Sequence, residues 1–515
     1  MKHPIDVLRR VARCSGVGLI LALLSVNALA TWSIVVIRKS TGEVCVASAT
    51  CLANFQLGVF LPVVVVGKGV GAAQSFVDFS GTNRVRIWDG IHAGWTPQRI
   101  LEQLAALDSG HQTRQYGIVS CDGPPVTFTG TGAGVAKFGV VGDIDGDTIY
   151  AIQGNVLAGE AVVLAAEHAL RGAPGDLGQR VMAAMEAARS FGGDGRCSCS
   201  SSQPASCGSP PPSFTHSAFT AFIMLARVGD AEGVCNGSVG CANGSYYLDK
   251  KFIGNASDLD PVVMLQMRYD IWRANRAGAP DHILTERLLG AQSLVADGIS
   301  GTAVTLRLVD IEGDALTVGG QTVTITQVNA DPPVAIPGPV VDNGDGTHTF
   351  SLTATTNPGT GVWRIVVQQG TAVVQLFPDL TLAVDSVSDL HLGFHEVSAS
   401  AAPSVPVVLN LPGDPGRPYH LLGSASGTTP GTAWPGGGTL PLNRDRLLGF
   451  TYVAPGPPTL PGSVGVLDSA GRAEASIAFD TVALFPFIGG RFDFCAVLAG
   501  APDDFTDVSG FDIVP

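Results

Sequence analysis

Residues 28–37 constrain this chain more than any other stretch, because two different signals meet there at one peptide bond. The small residues Ala28 and Ala30 form a signal-peptidase site. The apolar, β-branched run that starts at Thr31 predicts a buried strand. Cleavage after Ala30 would leave Thr31 first, with a hydroxyl nucleophile and an α-amine base on one residue. This coincidence is the main sequence evidence for an enzyme.

The segment before Thr31 has the composition of a signal peptide. The apolar run 16–26 is shorter than the ~20 residues that cross a bilayer, and it follows four basic residues, Lys2, Arg9, Arg10 and Arg13. We therefore predict that residues 1–30 are a signal peptide cleaved after Ala30. The mature chain would be secreted or periplasmic, in the cell envelope, and would not span the membrane. The alternative is an uncleaved anchor, in which Ala30 still acylates the nitrogen of Thr31.

The composition favours β-rich extracellular modules over a helical cytosolic enzyme. Of the 515 residues, 45% are hydrophobic, only 14% are charged and 65 are glycines. The net charge is -14, and it becomes -17 without residues 1–30, which carry a net charge of +3. Such an acidic chain is a poor partner for nucleic acid or an anionic membrane. No apolar run after residue 30 is long enough for a transmembrane helix.

The cysteines indicate an oxidising compartment. Nine of the ten follow Ala30, and five of them crowd between residues 197 and 241. In an exported protein this density predicts local disulfides. A zinc site is the alternative, since Cys-x-Cys followed by further cysteines can ligate metal. Because nine is an odd number, at least one thiol stays free or pairs between chains.

Residues 31–272 alternate between strand and helix patterns, which predicts an α+β domain with Cys-rich insertions. Thr96 and Pro97 supply the cap and the first-turn proline of one helix. Helices packed outside two sheets suit this order of elements. The predicted strands cover 31–37, 44–50, 61–66, 116–120, 126–129, 148–153 and 214–228, and the other predicted helices cover 160–171, 177–190 and 261–272.

The sequence changes at about residue 300, where Thr-Val alternation replaces helical periodicity. Short strands separated by turn residues predict β-sandwiches. We predict a linker at 273–300, an immunoglobulin-like β-sandwich at 301–386 and a C-terminal β-rich module at 404–515.

Five segments of the first domain resemble one known family when taken in order: 31–35, 41–43, 116–119, 151–159 and 192–196. Together they are similar to DUF1028, a family of unknown function with an Ntn-hydrolase-like fold. The resemblance implies an αββα four-layer sandwich. Its superfamily implies hydrolysis of an amide bond by an N-terminal nucleophile. This chain departs from the family pattern at Thr50-Cys51, where relatives often carry a basic residue.

The later modules carry a second resemblance. Residues 318–320 and 342–347 resemble the immunoglobulin-like repeats of bacterial adhesins. The last segment is similar to C-terminal modules of secreted bacterial proteins through its composition and the turn at 465–468.

Four residues are the catalytic candidates. We expect Thr31 to attack an amide carbonyl while its own amine, with a pKa near ~8, takes the proton. Ser33 lies two residues on, so it shares a strand face with Thr31 and can bind that amine. Gly154 and Asn155 follow a predicted strand and are candidates for an oxyanion hole.

Gln74, Asp194 and Arg196 are the candidate substrate-binding residues, with Arg196 as a fork for a carboxylate. Each candidate site also has a structural interpretation. Thr31 would only begin a sheet, and Ser33 would lie in the core. Asn155 would hold a turn, and Asp194 with Arg196 would form a structural ion pair.

The sequence predicts no cofactor and no metal site. The acidic run Asp143, Asp145 and Asp147 lacks the later bidentate acid of an EF-hand, because position twelve is Gly154. A hairpin turn explains these residues better.

The predicted function is a secreted amidohydrolase. Its substrate would be a peptide or a small acylated molecule, with cell-wall-derived substrates among the candidates. The alternative is a non-catalytic surface-interaction protein that uses an Ntn-like scaffold with β adhesion modules. No nucleic-acid partner is expected, and a second copy of the chain is a further candidate partner.

Overall fold

The computed structural model describes residues 31–329, 331–435, 437–500 and 504–515. The predicted signal peptide, residues 1–30, lies outside the described residues. The chain divides into two compact units, Met1–Arg268 and Tyr269–Pro515.

The first unit mixes strands and helices along the chain. Its described strands are β1 (Thr31–Arg38), β2 (Glu43–Thr50), β3 (Pro62–Val65), β4 (Gly69–Ser75), β5 (Arg114–Ser120), β6 (Val126–Thr129), β7 (Phe138–Ile144), β8 (Thr148–Asn155), β9 (Thr220–Ala226) and β10 (Leu248–Ile253). Its described helices are α1 (Leu57–Phe60), α2 (Thr82–His92), α3 (Pro97–Leu107), α4 (Ala161–Gly172), α5 (Leu177–Ser190), α6 (Gly195–Ser198) and α7 (Pro261–Ala274), the last of which continues past the boundary of the unit.

Two antiparallel sheets form the centre of the first unit. Their strand orders are β10-β9-β2-β1-β8-β7 and β3-β4-β5-β6. The sheets pack face to face through β1, β4, β5 and β8. Helices α4 and α5 pack on the six-stranded sheet, and α2 and α3 pack on the four-stranded sheet. The result is an αββα four-layer sandwich, as the resemblance implies.

Strand β1 lies inside the six-stranded sheet, between β2 and β8. Its residues from Thr31 to Ile37 are all buried, because a strand in the middle of four layers is covered on both faces. The Trp32 ring lies so close to Gly193 that an added Cβ there would stand 2.6 Å from it. With a φ of +51°, Gly193 is a position where only glycine fits without strain.

Two of the predicted helices begin at residues that cap them. The Thr96 hydroxyl accepts a hydrogen bond from the Arg99 amide over 3.2 Å, just before Pro97. Asp176 and Gln179 form a capping box, in which each side chain accepts a hydrogen bond from the other residue's backbone amide. Such local signals explain why these helix starts can be read from sequence.

Other elements of the first unit differ from the sequence prediction. Helix α2 was not predicted, because its cap is Gly81, at φ +80°, which provides no side-chain acceptor. Strand β7 was also not predicted, since its alternation of half-buried and exposed residues includes two glycines. Strand β10 was missed, and β9 is shorter than the predicted 214–228.

Strand β8 is longer than predicted. Gly154 and Asn155 do not follow the strand but belong to it, because pairing with β1 continues to the last residue. Gly154 lies opposite Trp32, and Asn155 lies opposite Thr31.

The second unit is mainly β. Its described strands are β11 (Glu286–Leu289), β12 (Ser293–Val295), β13 (Gly301–Arg307), β14 (Thr322–Gln327), β15 (Ala335–Pro337), β16 (Val341–Asp342), β17 (Thr347–Ala354), β18 (Gly359–Gln369), β19 (Ala372–Gln375), β20 (Leu380–Asp385), β21 (Leu390–Leu392), β22 (Glu396–Ser398), β23 (Val405–Asn410), β24 (Pro418–Ser424), β25 (Thr432–Ala433), β26 (Thr439–Leu440), β27 (Val464–Val466), β28 (Arg472–Ile477), β29 (Arg491–Leu498) and β30 (Ser509–Val514). Its described helices are α8 (Arg446–Val453) and α9 (Thr481–Leu484).

Two sandwiches make up this unit. In the first, the sheet β11-β13-β17-β15 faces the sheet β12-β20-β18-β14 around a core that includes Trp363 and Phe350. Residues 273–300, where the sequence predicts a linker, contribute β11 and β12 to these two sheets. In the second, the sheet β21-β23-β28 faces the sheet β22-β30-β29-β24-β27 around Phe494 and Phe511.

Three disulfides lie among the described residues of the first unit. Cys199 pairs with Cys207 and Cys235 with Cys241, so four of the five clustered cysteines form local bridges. The fifth, Cys197, pairs with Cys51, 146 positions away. Cys45, Cys121 and Cys495 are free thiols.

No group of three or more His, Cys, Asp or Glu side chains in the described ranges is placed to hold a metal ion. The structure likewise contains, within those ranges, no helix whose length and apolar content suit a membrane span.

Candidate functional site

Thr31 begins β1 at one end of the six-stranded sheet, with only 2% of its surface exposed in the full chain. Its neighbour in β8 is Asn155, the last residue of that strand. On the other side of β1, Trp32 pairs with Ala49, one residue before β2 ends. The threonine therefore stands where β1, β2 and β8 terminate together.

A network of amide side chains lies beneath Thr31, between the two sheets. Ser33 donates its hydroxyl to Gln74, which reaches it from β4, and Gln153 donates to the same hydroxyl over 2.7 Å. Gln74 also donates to Gln115 of β5 over 2.7 Å. All four side chains are buried, with exposures of 0–1%. Burial of so many polar groups is costly unless they are paired, so the network fixes its members in place.

This network holds the backbone of the predicted site on two strands. The Gln74 amide donates to the carbonyl of Thr31 over 3.0 Å. The Gln115 amide donates to the carbonyl of Gly154 over 2.9 Å. Both donors come from the four-stranded sheet, so the relative positions of Thr31 and Gly154 depend on the packing of the two sheets.

Strained backbone surrounds the same end of β8. Val156, Ala136 and Ser75 have φ values of +55°, +42° and +73°, a region that non-glycine residues rarely occupy. The amide of Asn155 donates to the Ser75 hydroxyl over 3.3 Å, and the backbone amide of Val156 donates to the carbonyl of Val135 over 2.8 Å. Strain of this kind costs about 1–3 kcal/mol per residue and is concentrated at functional sites.

Asp194 and Arg196 lie at this end of the sheet as well. Asp194 is fully buried and pairs across an isolated bridge with Leu157, two residues beyond the end of β8. Its carboxylate accepts hydrogen bonds from the backbone amide of Cys51, directly after β2, over 2.7 Å, and from the guanidinium of Arg196 over 2.8 and 3.1 Å. The two hydrogen bonds to Asp194 orient the Arg196 guanidinium. The Cys51–Cys197 disulfide joins the same loop to the end of β2.

The structure thus gathers all seven candidate residues around the end of β1: Thr31, Ser33, Gln74, Gly154, Asn155, Asp194 and Arg196. Gln74 contacts Thr31 itself. Its side-chain amide donates hydrogen bonds to the Thr31 carbonyl and to Gln115. Gln115 and Gln153 also belong to the network. The sequence does not predict them as site residues, since a single glutamine in a strand forms no motif. Their only signal was a polar residue inside an otherwise apolar strand.

The chemistry available here follows from these contacts. The side chains bonded to one another beneath Thr31 are neutral hydroxyls and amides, so none of them is a base near neutral pH. A proton acceptor at this position would be the α-amine of Thr31, once the bond from Ala30 is cut.

The four-layer αββα order is the one that the resemblance to an Ntn-hydrolase-like fold implies. Residues 31–203 match the model of a family of unknown function, DUF1028. Residues 288–379 match the model of invasin domain 3. Two separate parts of the chain are therefore similar to DUF1028 and to invasin domain 3.

Solved structures resemble parts of the chain. A DUF1028 protein of Silicibacter pomeroyi is 18% identical over 47% of this chain and 85% of its own, with a TM-score of 0.35. The adhesin InvE of Yersinia pseudotuberculosis is 17% identical over 45% of this chain and 58% of its own, with a TM-score of 0.18. Invasin, a bacterial integrin-binding protein, is 9% identical over 78% of this chain and 56% of its own, with a TM-score of 0.18. Among curated proteins, none matches the chain.

The disulfides and the invasin-domain match together indicate an extracellular or envelope protein.

Proposed function

We propose that this protein is exported and binds a protein receptor through its β-sandwiches. The observation that carries the proposal is the match of residues 288–379 to invasin domain 3, in a unit built of two consecutive sandwiches. Rigid sandwiches present loops and edges at a fixed spacing, which suits contact with another surface. The acidic net charge of -14 favours a protein receptor over an anionic membrane.

Binding of the purified full chain to intact cells tests this proposal. A fluorescently labelled chain should bind a panel of cell types, and its binding to at least one should saturate and disappear when surface proteins are removed with trypsin. Thr31→Ala should bind equally, because the β-sandwiches do not include that residue. Binding that never saturates, or that survives trypsin, would contradict a protein receptor.

A second candidate function is amide hydrolysis by Thr31, and one observation favours it. Gln74 holds the Thr31 carbonyl while Asn155 lies directly opposite on β8. After cleavage by signal peptidase, the Thr31 hydroxyl would attack an amide carbonyl and pass its proton to the α-amine. The C–N bond would break, the leaving amine would take that proton, and water would hydrolyse the resulting ester. The Gln74 contact fixes the backbone of the nucleophilic residue, and an amide opposite it is a candidate donor to the oxyanion.

Mass spectrometry and covalent labelling test the second candidate. The secreted chain should begin at Thr31 and react with an electrophilic acyl probe. Thr31→Ala should lose the label, whereas Thr322→Ala, at an exposed position of β14, should keep it. Equal labelling of Thr31→Ala, or a mature chain that begins elsewhere, would exclude Thr31 as the nucleophile.

A further inference from the structure

The second sandwich carries a groove beside helix α8. Apolar side chains of Trp434, Leu448, Tyr452 and Val453 line it, together with the charged residues Arg444 and Asp445. We call this the Trp434 groove. Its volume of about 380 Å³ falls in the range of ligand sites, which combine apolar walls with a few polar groups.

The Trp434 groove has an exposed side, and contacts with neighbouring rings hold its aromatic side chains. The Trp434 ring meets Tyr452 edge to face at 6.0 Å, and it meets Phe505 in the same way at 6.3 Å. His420 stacks on the Tyr452 ring at 5.9 Å. Tyr452 nevertheless remains 54% exposed and Val453 79% exposed. Large aromatic groups held in place on an open surface lose little entropy when a partner covers them.

The loop that presents Trp434 is tied down by one side chain. Asn443 accepts a hydrogen bond from the Gly431 amide over 2.9 Å, and it donates to the carbonyls of Ser426 and Thr429 over 2.7 and 2.9 Å. Thr432 donates its hydroxyl to the Leu442 carbonyl over 2.7 Å. The groove is therefore formed before any partner arrives.

Two charged residues line the groove, and Arg444 carries its positive charge. Asp445, its neighbour, is occupied, because it accepts hydrogen bonds from the amides of Leu448 and Ala425 and from the hydroxyl of Ser424. Burial by itself would raise the pKa of Asp445, but these hydrogen bonds outweigh burial and lower it. The carboxylate thus stays ionised and engaged with its own loop.

Arg444 itself is exposed and, among the described residues, has no acidic partner. Arginines with acidic partners in this unit are Arg273, Arg307, Arg364, Arg417, Arg472 and Arg491. The unit contains no lysine. Arg446 is exposed as well, but it does not line the groove. The Arg444 guanidinium lies beside the apolar wall, and a guanidinium is complementary to a carboxylate.

We propose that the Trp434 groove binds an acidic peptide segment of a partner protein. A carboxylate of the segment pairs with Arg444, and an adjoining apolar side chain packs against Trp434 and Tyr452. Trp, Tyr and Arg are the residues in which the binding energy of protein interfaces concentrates. This inference rests on the proposed receptor-binding function and names the surface and partner chemistry for it.

Selection from a random displayed peptide library on the immobilised full chain tests the inference. The enriched peptides should place Asp or Glu beside an aromatic or aliphatic residue. As synthetic peptides they should bind Arg444→Gln and Trp434→Ala about tenfold more weakly than the unsubstituted chain. Arg446→Gln removes the same charge outside the groove and should bind like the unsubstituted chain. Circular dichroism would verify the fold of each variant. If Trp434→Ala unfolds, Arg444→Gln alone tests the groove, because Arg444 is at an exposed position.

The inference is overturned if no peptide is enriched, if enriched peptides lack acids, or if they bind Arg444→Gln with full affinity. Failure of the groove is distinguishable from failure of receptor binding. Trypsin-sensitive cell binding that persists unchanged in Arg444→Gln would discard the groove and leave the receptor-binding function in place.

Discussion

The side-chain amide of Gln74 donates a hydrogen bond to the main-chain carbonyl of Thr31 over 3.0 Å. A residue of the four-stranded sheet thereby holds the first residue of an interior strand of the other sheet. The same amide donates to Gln115, and its oxygen accepts from Ser33. Because Gln74 is only 1% exposed, water cannot replace any of these partners.

Gln74→Glu should therefore destabilise the first unit strongly at neutral pH. The substitution keeps the shape of the side chain but removes both donors, and it places a buried carboxylate beside two carbonyl oxygens. We expect a loss of about 3 kcal/mol in the free energy of unfolding. Burial raises the folded-state pKa of this new carboxyl, so the loss should shrink as the pH falls toward ~4.

Urea unfolding of Gln74→Glu at pH 7 and pH 4 measures that effect. Gln203→Glu is the matched control, because Gln203 is exposed and should change stability little. A stability of Gln74→Glu equal to that of the control at pH 7 would show that the network does not hold Thr31.

The three disulfides should contribute unequally to stability. Cys51–Cys197 closes a loop of 146 residues, whereas Cys199–Cys207 closes one of 8. Chain entropy then predicts a loss of about 5 kcal/mol when the first pair becomes serine and about 2.5 kcal/mol for the second. Urea unfolding of the two double variants compares them, and a larger loss for the short loop would contradict the entropic explanation.

The sequence predicts those elements whose determining interactions are local. Thr96 and Pro97 encode a helix start by themselves, and the apolar run after Thr31 encodes a buried strand wherever it pairs. The same reasoning missed α2, whose cap Gly81 offers no side-chain acceptor. Boundaries that depend on pairing were also missed, since β8 reaches Asn155 only because β1 lies beside it.

The candidate site likewise contains residues that local sequence signals predict and residues that they do not. Thr31 and Ser33 could be named from a cleavage signal and a strand period. Gln115 and Gln153 could not, because their partners stand on other strands, 41 and 120 residues away along the chain. The Cys51–Cys197 pairing is equally non-local, and cysteine spacing gives no connectivity.

Asp108→Asn should destabilise the four-stranded sheet and its helices in a pH-dependent way. Asp108 accepts hydrogen bonds from Arg114 and Asn83, each over 2.8 Å. Burial alone would raise the pKa of its carboxyl, but these hydrogen bonds outweigh burial and lower the pKa to about 2. We expect the amide variant to lose about 1–3 kcal/mol at pH 7.

The pH range of this effect follows from the direction of the shift. A folded-state pKa below the unfolded value of ~3.9 stabilises the fold above pH ~4, and the stabilisation is lost as the pH falls through about 2. The stability difference between Asp108→Asn and the unsubstituted chain should therefore narrow between pH 4 and pH 2 in urea unfolding. A difference that stays constant over that range would mean that the ionised carboxylate is not the stabilising form.

Asn155→Asp separates a catalytic from a structural role for the residue opposite Thr31. If Thr31 hydrolyses amides, the Asn155 side chain is the candidate donor to the developing oxyanion, and an isosteric carboxylate removes that donor. Loss of one such donor slows acyl transfer about 100- to 1000-fold. The labelling rate of the secreted variant with the acyl probe should fall by that factor, while its N-terminus remains Thr31. Asn343→Asp, in an exposed turn of the second unit, should label at the unsubstituted rate. Unchanged labelling of Asn155→Asp, with a fold intact by circular dichroism, would restrict Asn155 to pairing β8 with β1.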